Sequence, residues 1–205
     1  ASRTTLYPSV DWMGGAPLIR SILLALTLAT ALAPAAGAQM VTVFSTDFDS
    51  GLAAEIAPGT AFLTGVQGYA GLGSAGNVFG GEFLRSIPAN HVVLTLADLP
   101  AHTSLDLAFL FAAIDSLDGT GSFPAGDFFE VRIDGQTVFN ESFANATESQ
   151  IQSYQPPAGV ELARHADLGF SVGSYFGDSA YDLGLDPVFQ GIAHTGSSLT
   201  IDFFM

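Results

Sequence analysis

The stretch TSLDLAFLFAAIDSLDGTGSFPAGDFFEVRIDGQTVFNESF, residues 103–143, decides the fold. Apolar side chains occupy every second position from Leu105 to Phe111, which predicts a long strand with one apolar face. Two further strand-like runs, Phe128–Ile133 and Thr137–Phe143, flank Asp134-Gly135, and this dipeptide is a strong signal for a two-residue β-hairpin. An acidic, glycine-rich loop joins the long strand to the hairpin. The stretch therefore predicts antiparallel β-structure.

The rest of the chain has the same character, because no segment after residue 38 keeps a helical period. About ten short strands, separated by Gly, Pro and Asp, predict an all-β domain, an antiparallel β-sandwich of jelly-roll type. The segment Gly177–Pro187 is acidic, and its glycines and proline predict a loop. Further predicted strands are Val41–Phe44, Ala61–Val66, His91–Ala97, one or two within Val160–Val172, and Ser198–Phe204.

The first 38 residues have the pattern of an export leader. Arg20 precedes the apolar run Ser21–Ala36, and Ala36-Gly37-Ala38 provides a small-residue cleavage site before Gln39. The run is shorter than the roughly 20 residues of a spanning helix, which disfavours a membrane anchor. We therefore expect a leader over 1–38, with a cleaved signal peptide at about 13–38. The mature part, 39–205, is predicted to be a single β-sandwich domain exported to the periplasm or the extracellular space.

The charge balance excludes several partners. From Gln39 onward there are 19 acidic residues against three arginines, and the whole chain has neither lysine nor cysteine. Such a surface repels phosphate backbones and anionic lipid, so we expect no nucleic-acid partner and no membrane insertion after signal cleavage. Without cysteine, disulfides and thiolate metal sites are also excluded. Divalent cations and neutral glycans remain compatible partners, and solubility is the alternative reason for the acidity.

The best candidate site is the acidic loop, where Asp115, Asp118 and Asp127 are predicted metal ligands. Calcium takes six to eight oxygen ligands from carboxylates, carbonyls and water. The neighbouring glycines, Gly119, Gly121 and Gly126, would free backbone carbonyls for the ion. Calcium is therefore the expected cofactor. The alternative is that Asp115 and Asp118 only shape the turn through bonds from their side chains to the backbone.

Other titratable groups form weaker candidates. Two more acidic sets are weaker candidates for binding a cation. The four histidines form no close pair in the sequence, so we expect each to be an ordinary strand or loop residue. Glu130 and Asp134 would lie about 13 Å apart along one strand, beyond the ~5–9.5 Å separation of glycosidase carboxylates. The acidic sets are Asp47 with Asp49, and Asp178 with Asp182 and Asp186; the histidines are His91, His102, His165 and His194.

One glycine motif formally matches a dinucleotide-binding fingerprint. Gly71, Gly73 and Gly76 have its spacing. A phosphate site of that kind needs a helix N-terminus after the glycines, and the residues that follow do not have a helical pattern. We interpret the segment as turns packed beneath aromatic side chains.

Five short segments together resemble exported bacterial jelly-roll modules of concanavalin-like or carbohydrate-binding-module architecture, some of which carry a PEP-CTERM-type sorting anchor. The resemblance covers about residues 41–204. Leu117 stands where such proteins often have Trp, and the acidic, Trp-bearing strand and the anchor that the resemblance implies after Phe204 are absent from this sequence. We therefore expect a C-terminal truncation and an exposed edge at the last strand. The segments are Asp47–Gly51, Gln67–Gly71, Ile114–Gly119, Asp134–Phe139 and Ser179–Asp182.

These observations predict a secreted, non-catalytic β-sandwich domain, stabilised by calcium, of cell-surface or extracellular-matrix type. The alternative is a carbohydrate-binding module, and a glycan-active enzyme is a third hypothesis. The expected partners are an extracellular glycan or a surface or matrix protein. In the carbohydrate-binding alternative, the side chains that would stack on sugar rings are Tyr69, Tyr154, Tyr175 and Tyr181.

Overall fold

The computed structural model describes residues 40–120, 126–171 and 177–205. The predicted leader and signal peptide lie outside the described residues, as do Gly121 of the acidic loop, Val172 and Tyr175. Over the three described ranges, no helix is long and apolar enough to cross a membrane.

The described chain is all-β, with antiparallel strand pairs and three short 3-10 turns, as predicted. The 3-10 turns are Gln67–Tyr69, Leu183–Leu185 and Pro187–Phe189. The strands are β1 (Ile56–Ala57), β2 (Phe62–Gly65), β3 (Gly73–Ser74), β4 (Asn77–Val78), β5 (Glu82–Arg85), β6 (His91–Leu96), β7 (Ser104–Leu105), β8 (Leu110–Ala113), β9 (Phe128–Ile133), β10 (Gln136–Ser142), β11 (Glu161–Ala166), β12 (Asp178–Asp182), β13 (Ile192–Ala193) and β14 (Leu199–Phe204).

The largest sheet has five strands in the order β1-β6-β14-β9-β10. The predicted hairpin is confirmed, because β9 and β10 pair around Asp134-Gly135. Both turn residues have positive φ, 47° at Asp134 and 78° at Gly135, as a type I′ turn requires. The expectation of an exposed edge at the last strand is wrong, since β14 pairs with β6 on one side and β9 on the other.

The second sheet has the order β11-β12-β8, and its central strand was not predicted. The sequence indicates a loop over Gly177–Pro187, but Asp178–Asp182 forms β12, and all five of its residues are buried. Gly177 and Pro187 lie beyond the ends of this strand rather than inside it. The loop prediction failed because buried aspartates look like loop residues in a sequence.

The predicted long strand from Leu105 to Phe111 is divided in two. β7 pairs with β13, whereas β8 pairs with β12. Between them the chain forms single bonds to its neighbours, including one from the Leu107 amide to the Phe189 carbonyl, 2.9 Å long. The predicted alternation of burial still holds, with Asp106 and Ala108 exposed and the apolar residues between them facing the core.

Two predicted strands are absent or shortened in the structure, and the predicted glycine-rich turns are present. Val41–Phe44 forms no strand, and β11 ends at Ala166, so the alternation through Leu168 and Phe170 lies outside any strand. The glycine-rich segment forms the β3–β4 hairpin, as its interpretation as turns predicted. Gly73 has φ 141°, and a Cβ there would collide with the Asn77 carbonyl, so only glycine fits.

Side chains of both sheets share one aromatic core, which is consistent with the predicted β-sandwich. The ring of Phe111 on β8 lies 4.5 Å from that of Phe129 on β9, measured between centroids. A second cluster covers the other face of the three-stranded sheet and contains Val66, Tyr69, Phe79, Phe83, Phe170 and Ala180. β12 contributes Tyr181 to the first cluster and Ala180 to the second, so this strand is covered on both faces.

Candidate functional site

The predicted calcium loop begins at Asp115, directly after β8. Its backbone has φ 60°, and its amide donates a hydrogen bond of 2.9 Å to Oδ1 of Asp178. Oδ1 of Asp115 is buried and has no hydrogen-bond partner among the described residues. Burying a carboxylate oxygen without a donor costs free energy, so a cation or a donor at this point would stabilise the fold.

Asp118 and Asp127 lie together on the other side of this loop. The Asp118 amide donates to Oδ2 of Asp127 over 2.7 Å, and Oδ1 of Asp118 accepts a bond of 2.6 Å from Nε2 of Gln150. No described contact joins the Asp115 carboxylate to either of them. Over 40–120, 126–171 and 177–205, no group of three His, Cys, Asp or Glu side chains could hold a metal. The structure thus brings two of the three predicted ligands together, and calcium binding stays a prediction.

Asp178 accepts more hydrogen bonds than the other carboxylates of the second acidic set. It is fully buried on β12. In addition to the Asp115 amide, it accepts a bond of 2.9 Å from the Leu168 amide and longer bonds from the Phe170 amide and the Ser171 hydroxyl. Amide donors offset the cost of burying the charge. Asp178 therefore fastens the loop after β8 and the segment after β11 to the central strand.

Asp182 and Asp186 have separate environments, so the set does not converge on one ion. Asp186 accepts a bond of 2.7 Å from the Tyr154 hydroxyl and caps the following 3-10 turn through the Val188 amide at 3.0 Å. Asp182 accepts a bond of 3.3 Å from the Asn77 side chain, while its Oδ2 has no partner in the part of the chain that the structure describes.

The first acidic set also serves the backbone. Asp49 accepts bonds from the amides of Gly81, at 3.3 Å, and Glu82, at 2.8 Å, and so attaches the N-terminal segment to β5. At least eight aspartates accept backbone amides in this way: Asp47, Asp49, Asp106, Asp127, Asp134, Asp167, Asp178 and Asp186. Five of these aspartates join separate segments of the chain, whereas three bond to the amide two residues further on, namely Asp47, Asp167 and Asp186.

Three of the tyrosines predicted to stack on sugar rings are core residues instead. Tyr69 and Tyr181 are fully buried, and Tyr154 is almost so. Burial raises the pKa of all three phenols, and the pKa of Tyr154 is raised further by its hydrogen bond to Asp186. None of these rings is accessible to a ligand, so the carbohydrate-binding hypothesis needs a different surface.

The outer face of the five-stranded sheet carries a cluster of aromatic and charged side chains. The imidazole of His91 stacks on the ring of Phe204, with centroids 4.2 Å apart and planes at 8°. The Arg132 guanidinium lies over the same ring, 4.5 Å from its centroid. Arg132 also holds Glu130 through bonds of 2.8 and 2.9 Å, and the pKa of Glu130 is lowered by Arg132 and by the Thr137 hydroxyl.

Sequence reasoning missed this surface because it depends on strand order. His91, Arg132 and Phe204 are far apart in the chain and become neighbours only because β14 lies between β6 and β9. The outward alternation of each strand was visible in the sequence, but the register between the strands was not.

Two of the histidines, which form no close pair in the sequence, lie close together in the structure. Nε2 of His102 lies 2.6 Å from Nδ1 of His194, and Nε2 of His194 lies 3.0 Å from Oδ2 of Asp134. Pairing of β7 with β13 brings these histidines together, although 92 positions separate them in the sequence. No local signal could have revealed the pair.

Comparison with known proteins adds no relative: no family model, curated protein or solved structure matches this chain.

Proposed function

We propose that this chain is an exported, non-catalytic β-sandwich domain of cell-surface or extracellular-matrix type. The observation that carries the proposal is the use of its acidic groups, because at least eight aspartates accept backbone amides within the fold. Groups committed to such bonds stabilise loops and are poor general acids or bases. Incubation with a panel of polysaccharides should release no reducing ends, and turnover of any of them would overturn the proposal.

The proposal includes a jelly-roll topology and membership of the exported modules with PEP-CTERM-type anchors that the sequence resembles. Pairing of the distant strands β6 and β14, with both sheets sharing one core, supports this topology. Export is tested by fusing residues 1–38 to a reporter. We expect translocation and cleavage before Gln39, whereas a reporter that remains in the cytoplasm with its leader intact would contradict export.

The proposal also includes calcium stabilisation through Asp115, Asp118 and Asp127. Its support is the buried Oδ1 of Asp115, which lacks a partner among the described residues. A ligand at 100 times its dissociation constant stabilises a fold by about 2.7 kcal/mol. We therefore expect calcium to raise the melting temperature and EDTA to reverse the gain.

A matched pair of variants locates the ion. Asp115→Asn should abolish the calcium-dependent rise in melting temperature. Asp98→Asn removes an equal charge from an exposed position without a described hydrogen bond and should leave the rise intact. A melting temperature that does not respond to calcium in the unaltered protein would remove calcium from the proposal.

Carbohydrate binding is the second candidate function, and the outer sheet face favours it. The His91 imidazole covers one face of the Phe204 ring and the Arg132 guanidinium covers the other. A sugar would therefore lie across the outer edge of this stack, with its hydroxyls bonding to Arg132 and Glu130. Phe204→Ala should then abolish retention on a glycan array. Phe62→Ala, at an exposed phenylalanine of a different sheet, should not.

A further inference from the structure

Two histidine rings meet nitrogen to nitrogen where the hairpin turn approaches the β7–β13 ribbon. Nε2 of His102 and Nδ1 of His194 are 2.6 Å apart, the ring planes differ by 17°, and the ring centroids are 4.9 Å apart. The distance between the ring centroids is close to the sum of the nitrogen–nitrogen distance and the two distances from each centroid to its facing nitrogen. The rings are therefore nearly coplanar and aligned end to end, so the two facing nitrogens point directly at each other.

The other nitrogen of each ring faces an oxygen acceptor. Nδ1 of His102 lies 2.6 Å from the carbonyl oxygen of Pro100, and Nε2 of His194 lies 3.0 Å from Oδ2 of Asp134. A carbonyl can only accept, so Nδ1 of His102 must carry a hydrogen. With Asp134 ionised, Nε2 of His194 must carry one as well. Each neutral imidazole has a single N–H hydrogen, and both hydrogens are then donated to these acceptors. The two nitrogens that face each other would therefore both present lone pairs.

We propose that His102 and His194 share one additional proton, which the carboxylate of Asp134 neutralises. This chain of groups forms a proton-dependent latch between the hairpin turn and the β7–β13 ribbon. The same count results if the proton moves to Asp134, because each ring then donates once towards Pro100. Whichever microstate is populated, the three side chains together hold one proton more than an ionised aspartate and two neutral imidazoles.

A metal ion does not fit this arrangement. Zinc–nitrogen bonds of about 2.0–2.1 Å with tetrahedral angles require imidazole lone pairs that converge at an angle. Here the two lone pairs lie along one straight line, and the nitrogens are only 2.6 Å apart, which is too close for an ion between them. A hydrogen bond, in contrast, prefers this straight alignment.

The latch lies at a junction of three segments. His194 is almost buried, with 7% of its side chain exposed, whereas Asp134 is half exposed. Oδ1 of Asp134 accepts the Thr200 amide at 2.9 Å, which fixes the carboxylate at the start of β14. Among the described residues, Asp134 is the ionised group within hydrogen-bonding distance of the rings. The other charged groups on the adjoining segments, with no described contact to either ring, are Asp98, Asp106, Arg132 and Asp202.

Loss of the shared proton opens the latch, since two lone pairs repel at this distance. We expect the amides that hold the junction to exchange faster above the transition, after correction for base catalysis. These amides are Leu99, which donates to Ser197, and His194, which donates to Thr103.

Nitrogen-15 NMR of the histidine rings across pH tests the latch directly. We expect His102 and His194 to lose a single proton in one joint step, with hydrogen on Nδ1 of His102 at every pH and on Nε2 of His194 above the step. Two independent steps, or reversed tautomers at high pH, would overturn the proposal. A melting temperature raised by zinc in the unaltered protein but not in His102→Gln would also overturn it, because a metal would then be the cation.

Asp134→Asn and Asp202→Asn form the matched pair of variants. Asparagine at 134 keeps the acceptor for Thr200 but removes the charge, so the joint step should move to lower pH. Asp202 contacts His91 over 2.8 Å and has no described contact with either latch ring, so its replacement should leave the joint step unchanged. An unchanged joint step in Asp134→Asn would refute the role of Asp134. If that variant is destabilised, the tautomers in the unaltered protein still decide the question.

Discussion

Alkaline pH should unfold this protein through its buried tyrosines. Burial raises the pKa of Tyr69, Tyr154 and Tyr181, so each folded phenol keeps its proton at a pH where an unfolded tyrosine, with a pKa of about 10, has lost it. The folded state therefore binds more protons than the unfolded state above pH 10. The stability that these groups contribute is fully present below pH 10 and is lost as the pH rises further.

The size of the effect follows from the number of groups. One pH unit above 10 costs about 1.4 kcal/mol for each phenol that remains protonated, or nearly 3 kcal/mol for Tyr69 and Tyr154 together, and Tyr181 adds to this sum. A stability of roughly 5 kcal/mol, the lower end for a folded domain, would be offset between about pH 11 and 12. We expect a cooperative transition in this range rather than a gradual titration.

The composition makes the assay simple. The chain has no lysine and no cysteine, so few groups other than tyrosine titrate in this range. Tyrosinate absorbance should rise together with the loss of near-ultraviolet circular dichroism. Tyr69→Phe, which keeps the ring, should reduce the steepness of the pH dependence by about a third to a half. Reversible titration near pH 10 of more than one tyrosine, in the protein from Gln39 onward, with the dichroism intact would refute the reasoning.

Three further predictions concern individual bonds. Asp178→Asn should lower the free energy of unfolding in urea by about 3 kcal/mol, because it weakens several charge-assisted bonds at a buried site; Asp167→Asn, at an exposed position, serves as the control and should cost under about 1 kcal/mol. Gly135→Ala should destabilise by about 1–2 kcal/mol because of the positive φ there, and an unchanged denaturation midpoint would argue against the type I′ turn. The lowered pKa of Glu130 contributes stability above the pKa of an unfolded glutamate, about 4.3. This contribution should be lost as the pH falls through the pKa of Glu130 in the folded protein. The loss should amount to under about 1 kcal/mol, because the pair with Arg132 is partly exposed. Glu130→Gln should remove that part of the acid dependence, and an identical acid profile in the variant would contradict the assignment.

The sequence predicted those parts of the fold that depend on local pattern. Alternation over His91–Leu96 and Leu199–Phe204 identified β6 and β14, and Asp134-Gly135 identified the hairpin, because turn chemistry and strand period act over a few residues. β12 was missed for the opposite reason. Asp178 and Asp182 look like solvent-exposed residues until the amides and side chains that bond to them are brought close by the rest of the fold.

The candidate sites also divide into features that depend on local sequence and features that depend on strand pairing. Asp118 and Asp127 are nine positions apart within one loop, and their proximity could be predicted. His102 with His194, and His91 with Phe204, come together only through strand pairing across most of the chain. A single sequence contains no record of such register, so both the latch and the outer aromatic surface appear only in the folded structure.

The position of β14 in the centre of its sheet has a consequence for how the domain is made. Synthesis delivers β6, β9 and β10 long before β14. The β9–β10 hairpin can therefore form early, while the side of β6 that faces away from β1 has to wait for β14. The five-stranded sheet closes only when residues 199–204 arrive between its two halves. Such long-range pairing slows folding. We therefore expect the sheet to stay open until residues 199–204 are available and then to close as a single late event.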